Sequence, residues 1–551
     1  MSNLKFLPAV LLLAFVSIAA CGQDIPRYLI YLKDKANSPY SVDKPEMYLS
    51  ERALTRRSRQ QIKITPTDFP VNNTYLQAIR QSGARVIFSS RWLNAVLVEA
   101  TASQYTAIQS LPFYQATERN LPLATTNTRG VGRLGATYQK FGTQEAVDYG
   151  RMREQLALLG VPGLQEKGFK GKGMLIAVFD AGFSRGNEVG YLKHLFTEKR
   201  IVDTYDFIAR DGNVYNDHFH GLNCLSTMAA NQPGVLVGAA FEASYALYRT
   251  ENELSETPYE EAAWLIAAER ADSLGADIIS CSLGYNTFDD PRHDYTIRDL
   301  DGKTALVTKA AQQAARVGIL VVNSAGNSGN DPWKFVTSPA DADSILAVGA
   351  TFSNRSYAPF SSIGPTADGR QKPDVSAQGV GTVIGNNLGE GSASTGNGTS
   401  FAAPQIAGLA AILWQAYPQL TAQQLITVIK QSGHLAANPN NLLGFGVPTI
   451  QLAEEIVLRD YPPLSLEPPA SAGIYLYPNP TEDYLTLRFP SNLIGHDAEV
   501  ELLTVSGSVV RRETSTISSS LTFPISALPS GAYLVKISTS REVGTLKFIK
   551  R

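Results

Sequence analysis

Cysteine is scarce: the 551 residues include three, at positions 21, 224 and 281. That excludes a disulfide framework, so stability must rest mainly on core burial. An excess of charge of either sign is lacking too, with 48 Lys and Arg against 50 Asp and Glu and a net charge of −2. Without a basic footprint, nucleic acid is not an expected partner. Nor is a membrane span expected. The opening apolar run, Phe6–Ala20, has fifteen residues, where spanning a bilayer takes about 18 or more. A lysine before it and small residues after it make residues 1–23 read as an export signal. "SIAAC" also offers Cys21 a rival fate, lipidation after cleavage. Repeats and long low-complexity tracts are absent.

What is present is ordinary globular material, 44% hydrophobic and 18% charged, in a chain long enough for about three domains. Residues 24–118 read as strand, helix, paired strands and helix, a small α+β domain carried by "RYLIYLKD", "YLQAIRQSG", "ARVIFSSRWLNAVLVEAT" and "SQYTAIQSL". Within it the locally basic "RALTRRSRQQ" (52–61) reads as a solvated helix face. Residues 119–148 are Gly/Thr-rich and aperiodic, an exposed linker. From 149 to 457 short apolar runs end in polar or turn residues: "GMLIAVFDAG", "ASYALYRTE", "ADIISCSLG", "GILVVNSAGN" and "SILAVGAT". Helix-like stretches such as "PYEEAAWLIAAERADSLG" lie between them, so the fold class is α/β, a mostly parallel sheet flanked by helices. A Pro-rich linker (458–473) precedes a small all-β sandwich (474–551).

Active groups of parallel sheets collect at the carboxyl ends of strands. "IAVFDAGF" puts Asp180 at such an end, "HFHGLNCLSTMAA" puts His220 before a small-residue helical run, and "GNGTSFAAPQ" puts Ser400 at the start of another. Asp, His, Ser is one of the chain orders in which a catalytic triad occurs. A serine hydroxyl attacks only when an imidazole takes its proton, and a buried carboxylate must orient that imidazole and stabilise its charge. Residues 149–457 resemble a subtilisin-type serine peptidase (subtilase) domain: "DAGF" is similar to the family's D-[ST]-G, "HGLNCLS" to H-G-T-x-V and "GTSFAAP" to G-T-S-[MF]-[AS]-x-P. The resemblance implies a triad of Asp180, His220 and Ser400, with Asn327 completing the oxyanion hole beside the Ser400 amide. It also implies that Ser282, Leu283 and Gly284 pair with a peptide as an added strand. Ala325 and Gly326 would line the pocket for the residue before the scissile bond, expected to be open, mainly apolar and suited to large hydrophobic side chains.

In this family the base directly precedes Gly, so His220 and not His218 is the base, and His218 is a loop residue near the cleft. A zinc site from Asp217, His218 and His220 would need ligands that no second His/Cys cluster supplies, and no metal is assigned. Cys224 is expected to pack beneath His220 as an inert thiol. No cofactor is required; calcium in the acidic loop 288–303 stays open, although that loop lacks EF-hand spacing. Two positions depart from the family pattern, Ala181 for Ser or Thr and Leu222 for Thr.

The flanking regions carry resemblances of their own. Residues 24–118 look like the propeptides of secreted bacterial subtilases, which implies a built-in inhibitor cut off near the 119–148 linker. Residues 474–551, from "YPNP" through "SGAYLVKIST" to the basic tail, resemble a type IX secretion sorting domain, implying that export machinery as partner and a secreted or surface location. The expected function is a secreted serine endopeptidase acting on protein or peptide substrates. The rival reading, resting on Ala181 and Leu222, is a catalytically weak surface protein that binds peptides.

Overall fold

The runs that end in polar residues form the centre of one sheet. In a computed structural model that describes residues 25–125, 148–388, 392–462, 474–490, 493–504, 507–539 and 543–551, the chain forms two compact units, divided between Ala453 and Glu454. The expected export signal, most of the 119–148 linker and most of the Pro-rich connector lie outside the described residues.

The first unit opens with β1 (Arg27–Leu32), α1 (Glu51–Arg59), α2 (Asn73–Gln81), β2 (Arg85–Ser90), β3 (Ala95–Glu99), α3 (Ala102–Gln109) and β4 (Tyr114–Thr117). Its four strands form an antiparallel sheet in the order β2-β3-β1-β4. The chain stays paired beyond residue 118: Arg27 N–H donates to Ala124 and Leu123 N–H to Arg27, at 2.9 and 2.7 Å.

There follow β5 (Leu175–Asp180), β6 (Ile201–Asp206), α4 (His220–Ala229), β7 (Ser244–Arg249), α5 (Pro258–Leu274), β8 (Ile278–Cys281), α6 (Leu306–Arg316), β9 (Leu320–Ser324), β10 (Leu346–Thr351), β11 (Val375–Gln378) and α7 (Thr399–Ala416). The seven strands pair in parallel in the order β11-β10-β9-β8-β5-β7-β6. Every residue of β5, β8, β9, β10 and β11 is buried, as a sheet covered on both faces requires. Strand alternation turns Leu175, Ala177 and Phe179 toward a core shared with Trp264 of α5 and Ala311 of α6. Ile176 and Val178 therefore face the other layer. There α7 is buried from Thr399 to Trp414, which accounts for a helix apolar on all sides.

After β7 the chain crosses β5 to reach β8, so the carboxyl ends of β5 and β8 flank a topological switch point. Ligand crevices of open α/β sheets form at such points.

The N-terminal sheet has two occupied faces. Tyr28, Ile30, Val96 and Val98 pack with Ile79 of α2 and Ile108 of α3. Leu29, Ala95 and Leu97 join the core of the large sheet beside Ala267 and Ala271 of α5. The basic run corrects expectation: Arg56 and Arg57 are buried, at 2% and 1% exposure. Arg56, Arg57 and Arg91 converge on Asp272 of α5, the last two at 2.7 and 2.5 Å. Periodicity marked the helix, but the partner lies more than two hundred residues away and leaves no local trace. Burial alone would raise the Asp272 pKa; the three guanidiniums more than offset it and hold the carboxyl below its usual value.

The second unit is antiparallel. One sheet pairs Tyr475–Tyr477, Tyr484–Arg488 and Ser520–Pro524; the other pairs Asp497–Thr504, Val509–Thr516, Gly531–Thr539 and Val543–Lys550. Alternate residues, among them Leu485, Leu487, Val500, Leu502, Val535 and Ile537, fill its core.

Removing the shared carboxylate strands buried guanidiniums. Asp272→Ala in the full chain carrying Ser400→Ala should lose about 3–5 kcal/mol, read as a lower denaturation midpoint. A loss below about 1 kcal/mol would mean that water already compensates these arginines.

Candidate active site

The first residue of α4 is His220, and its Nδ1 lies 2.7 Å from Asp180 Oδ1 at the end of β5. Gly221 is what lets the two elements meet. A methyl group there would stand 2.6 Å from the Gly182 carbonyl and 2.7 Å from the Asp180 Cβ. Asp180 is fully buried, whereas the His220 side chain keeps 24% of its surface exposed and lines the cleft. Burial pulls the imidazole toward the neutral form, and the adjacent Asp180 charge overrides it, so its pKa stands well above the ordinary value.

Ser400 occupies the second position of α7, where an N–H has no intrahelical acceptor. Its hydroxyl donates to the Ser282 carbonyl at 3.2 Å, and the Ser282 hydroxyl donates back to the Ser400 carbonyl at 2.8 Å. That carbonyl is available because Pro404, four residues on, has no N–H to offer it. The Cys224 thiol donates to it as well, at 3.3 Å. Burial pushes the Cys224 pKa up, so the expected buried thiol is found, beneath His220 and neutral.

Asn327 stands across the same cleft. Thr399 donates to its Oδ1 twice, from N–H at 2.9 Å and from the hydroxyl at 3.0 Å. With the carbonyl end so held, the Nδ2 end is left toward Gly398 and Ser400, 3.7 Å from where a Gly398 side chain would begin. The same Thr399 hydroxyl accepts from Gly326 N–H at 3.2 Å. Thr399 therefore positions both neighbours, a role its place in "GTS" did not reveal.

One cavity of about 280 Å³ is lined by His220, Ser282, Leu283, Gly284, Asn327 and Ser400. Gly326 lines it too, while Ala325 is fully buried behind the wall. The sequence-named residues are thus brought together, Ala325 as backing. Glu251, Glu253 and Thr337 also line this cavity, and sequence reasoning missed them. The acidic run "TENELSETPYEE" after β7 was the available signal for the first two. Burial, then the neighbouring Glu256, holds Glu251 well above the usual carboxylate range.

The two histidines divide their partners. His218 pairs with Glu253 at 3.0 Å, and Asp217 pairs with Arg249 at 3.3 Å. Asp217, His218 and His220 thus face three different groups and do not converge on one ligand point. Asp180, His220 and Cys224 do lie close together, but the imidazole Nδ1 is committed to Asp180 and the thiol keeps its proton. Such a donor set suits proton movement better than metal binding.

The sequence model of the Subtilase family matches residues 171–446. The chain belongs to the subtilase family. The Bacteroidota propeptide domain of the same peptidase family matches residues 27–131, and a secretion system C-terminal sorting domain matches 475–551. Subtilisin DY of Bacillus licheniformis is 30% identical over 284 residues, covering 51% of this chain and 89% of its own. Subtilisin of Bacillus pumilus is 31% identical over 286 residues, with 51% and 89% covered. Serine protease AprX of Bacillus subtilis is 30% identical over 287 residues, with 47% and 61% covered.

This subtilase thus carries a propeptide domain and a type IX sorting domain, which directs it to the outside or the cell surface. No helix among the described residues is long and apolar enough to cross a membrane. Its departures from the family pattern have a structural counterpart. Asp180 Oδ1 accepts from Ala181 N–H at 2.8 Å as well as facing His220, but Oδ2 is buried with no hydrogen-bond partner among the described residues. Ala181 and Leu222 are both buried and offer no side-chain donor.

The Asp180 charge sets the His220 titration. By NMR of histidine-labelled protein, His220 should lose its proton well above the ordinary value of about 6.5. Asp180→Asn should bring the midpoint down toward that value. An unshifted midpoint in the variant would mean that Asp180 does not govern the imidazole.

Proposed function

We propose that this chain is a secreted serine endopeptidase, made as a zymogen. The observation that carries the reading is the 2.7 Å His220–Asp180 contact in a cleft that also holds Ser400 and Asn327. In this reading a bound peptide carbonyl draws the Ser400 hydroxyl from its resting contact with Ser282. His220 Nε2 takes the hydroxyl proton as Oγ bonds to the carbonyl carbon, and Asp180 stabilises the imidazolium. The oxyanion is held by the Ser400 N–H and Asn327 Nδ2. Collapse breaks the C–N bond as His220 gives its proton to the leaving amine, and water then releases the acyl group by the same steps in reverse roles. No metal or cofactor takes part in these steps.

The N-terminal domain is read as the inhibitor of its own peptidase. Its support is the shared apolar core and the buried arginines on Asp272. The type IX secretion machinery is the other partner.

One observation favours the rival, a peptide-binding protein of weak activity: Asp180 Oδ2, beside Ala181, has no hydrogen-bond partner among the described residues. A carboxylate held by fewer bonds orients the imidazole less firmly.

Fluorophosphonate labelling separates the two. Label on Ser400 in the wild type and none in Ser400→Ala is expected; folded, propeptide-free wild type left unlabelled would favour the rival. Asn327→Ala should lower turnover roughly 100- to 1,000-fold. Because the base must be neutral and its pKa is raised, kcat/KM should climb with pH through a midpoint above about 6.5. A profile flat across that range would count against His220 as the base.

A further inference from the structure

The pocket beside Ser400 is not the mainly apolar one expected from the sequence, for Glu251, Glu253, Asn286 and Thr337 are among the residues that line it. Two glycines face each other across it, Gly284 after β8 and Gly326 after β9, and Thr337 stands between them. A methyl group on Gly284 would lie 2.1 Å from Thr337 Oγ1. One on Gly326 would lie 2.9 Å from Ser362 Oγ, 3.0 Å from Thr337 Oγ1 and 3.3 Å from the Thr337 Cγ2. Both walls therefore lack side chains where a guest could enter; Thr337 takes the room beside Gly284 and shares with Ser362 the room beside Gly326.

The obstruction is firmly held. Thr337 N–H donates to the Ala325 carbonyl at 3.2 Å, and Ser338 exchanges backbone bonds with Tyr285 at 2.8 and 3.1 Å. The segment is thus fastened to both walls at once. Behind the Gly284 wall, Asn323 Nδ2 holds the Leu283 carbonyl at 2.9 Å. Neither side can withdraw without breaking buried hydrogen bonds.

Thr337 is 5% exposed, and its hydroxyl oxygen has no hydrogen-bond partner among the described residues. A buried hydroxyl without a partner is normally disfavoured. One at the base of a binding pocket calls for an explanation in the guest.

We propose that Thr337 closes the base of the pocket for the residue before the scissile bond, so that the peptidase selects small residues there, alanine and serine above leucine and phenylalanine. This rests on the peptidase reading given above. An alanine methyl stops short of Thr337, whereas a phenyl ring must occupy the space that the threonine fills. A serine guest also brings a hydroxyl, a polar partner of the kind Thr337 Oγ1 lacks among the described residues.

The test uses the full chain, secreted and processed, with tetrapeptide substrates that differ only in alanine, serine, leucine or phenylalanine before the cleaved bond. Fluorophosphonate titration of Ser400 counts active sites. Wild type should favour alanine over phenylalanine in kcat/KM, and Thr337→Ala should move that ratio roughly 10- to 100-fold toward phenylalanine. Thr337→Ser, which removes only the methyl, should move it less. Wild type that cleaves phenylalanine peptides as well as alanine ones overturns the inference, even if no variant folds. So does an unchanged ratio in folded Thr337→Ala. In both cases Ser400 still labels and the peptidase reading stands; no label and no hydrolysis of any peptide would overturn both.

Discussion

The approach of the first turn of α4 to the end of β5 governs the geometry of the cleft. His220 reaches Asp180 at 2.7 Å because Gly221 has no side chain to hold the helix off the strand end. Asp180 can be fully buried because its charge faces an imidazole and one backbone N–H. A buried carboxylate without such partners would take up a proton. Close packing and electrostatics are therefore one constraint: a wider gap would leave the carboxylate uncompensated and the imidazole free to turn. Ser400 is tied in from the other layer, through its carbonyl to Ser282 and Cys224, a carbonyl that Pro404 leaves unclaimed by α7.

The parallel sheet brings these pieces to one edge. Asp180 ends β5, Ser282–Gly284 follow β8, and Gly326 and Asn327 follow β9. Each strand is fully buried, and the side chains proposed for chemistry stand where it ends or in the loop just after it. The residues after β8 and β9 differ from Asp180 in being glycine-rich, which opens space between neighbouring strand ends. In one place that space is filled again by Thr337, from a segment belonging to neither strand.

Much of this was legible in the chain. Continuous apolar runs ending in polar residues marked the buried strands, and Asp180, His220, Asn327 and Ser400 stand at such ends or at helix starts, where local sequence fixes position. What stayed hidden depends on distant partners. Arg56 and Arg57 read as solvated because a basic helix usually is, and Asp272 gives no sign within its own helix of the company it keeps. Thr337 lies in an irregular stretch between β9 and β10, where no periodicity tells which way a side chain points. Thr399 was in view inside a motif, yet its bonds to Asn327 and Gly326 join residues more than seventy positions apart.

The interface of the N-terminal domain mixes two materials that behave differently on separation. Leu29, Trp92 and Leu97 bury apolar surface against the α5 layer, and exposing it costs free energy with no compensation from water. Arg56, Arg57, Arg91 and Asp272 are also fully enclosed, but each regains a hydration shell when the domains part. The ionic cluster thus contributes less net holding energy than its short contacts suggest, while strongly penalising any docking that leaves one charge unmatched. An interface built this way sets register more than affinity. That suits a domain whose proposed task is to sit correctly on its peptidase and then be removed.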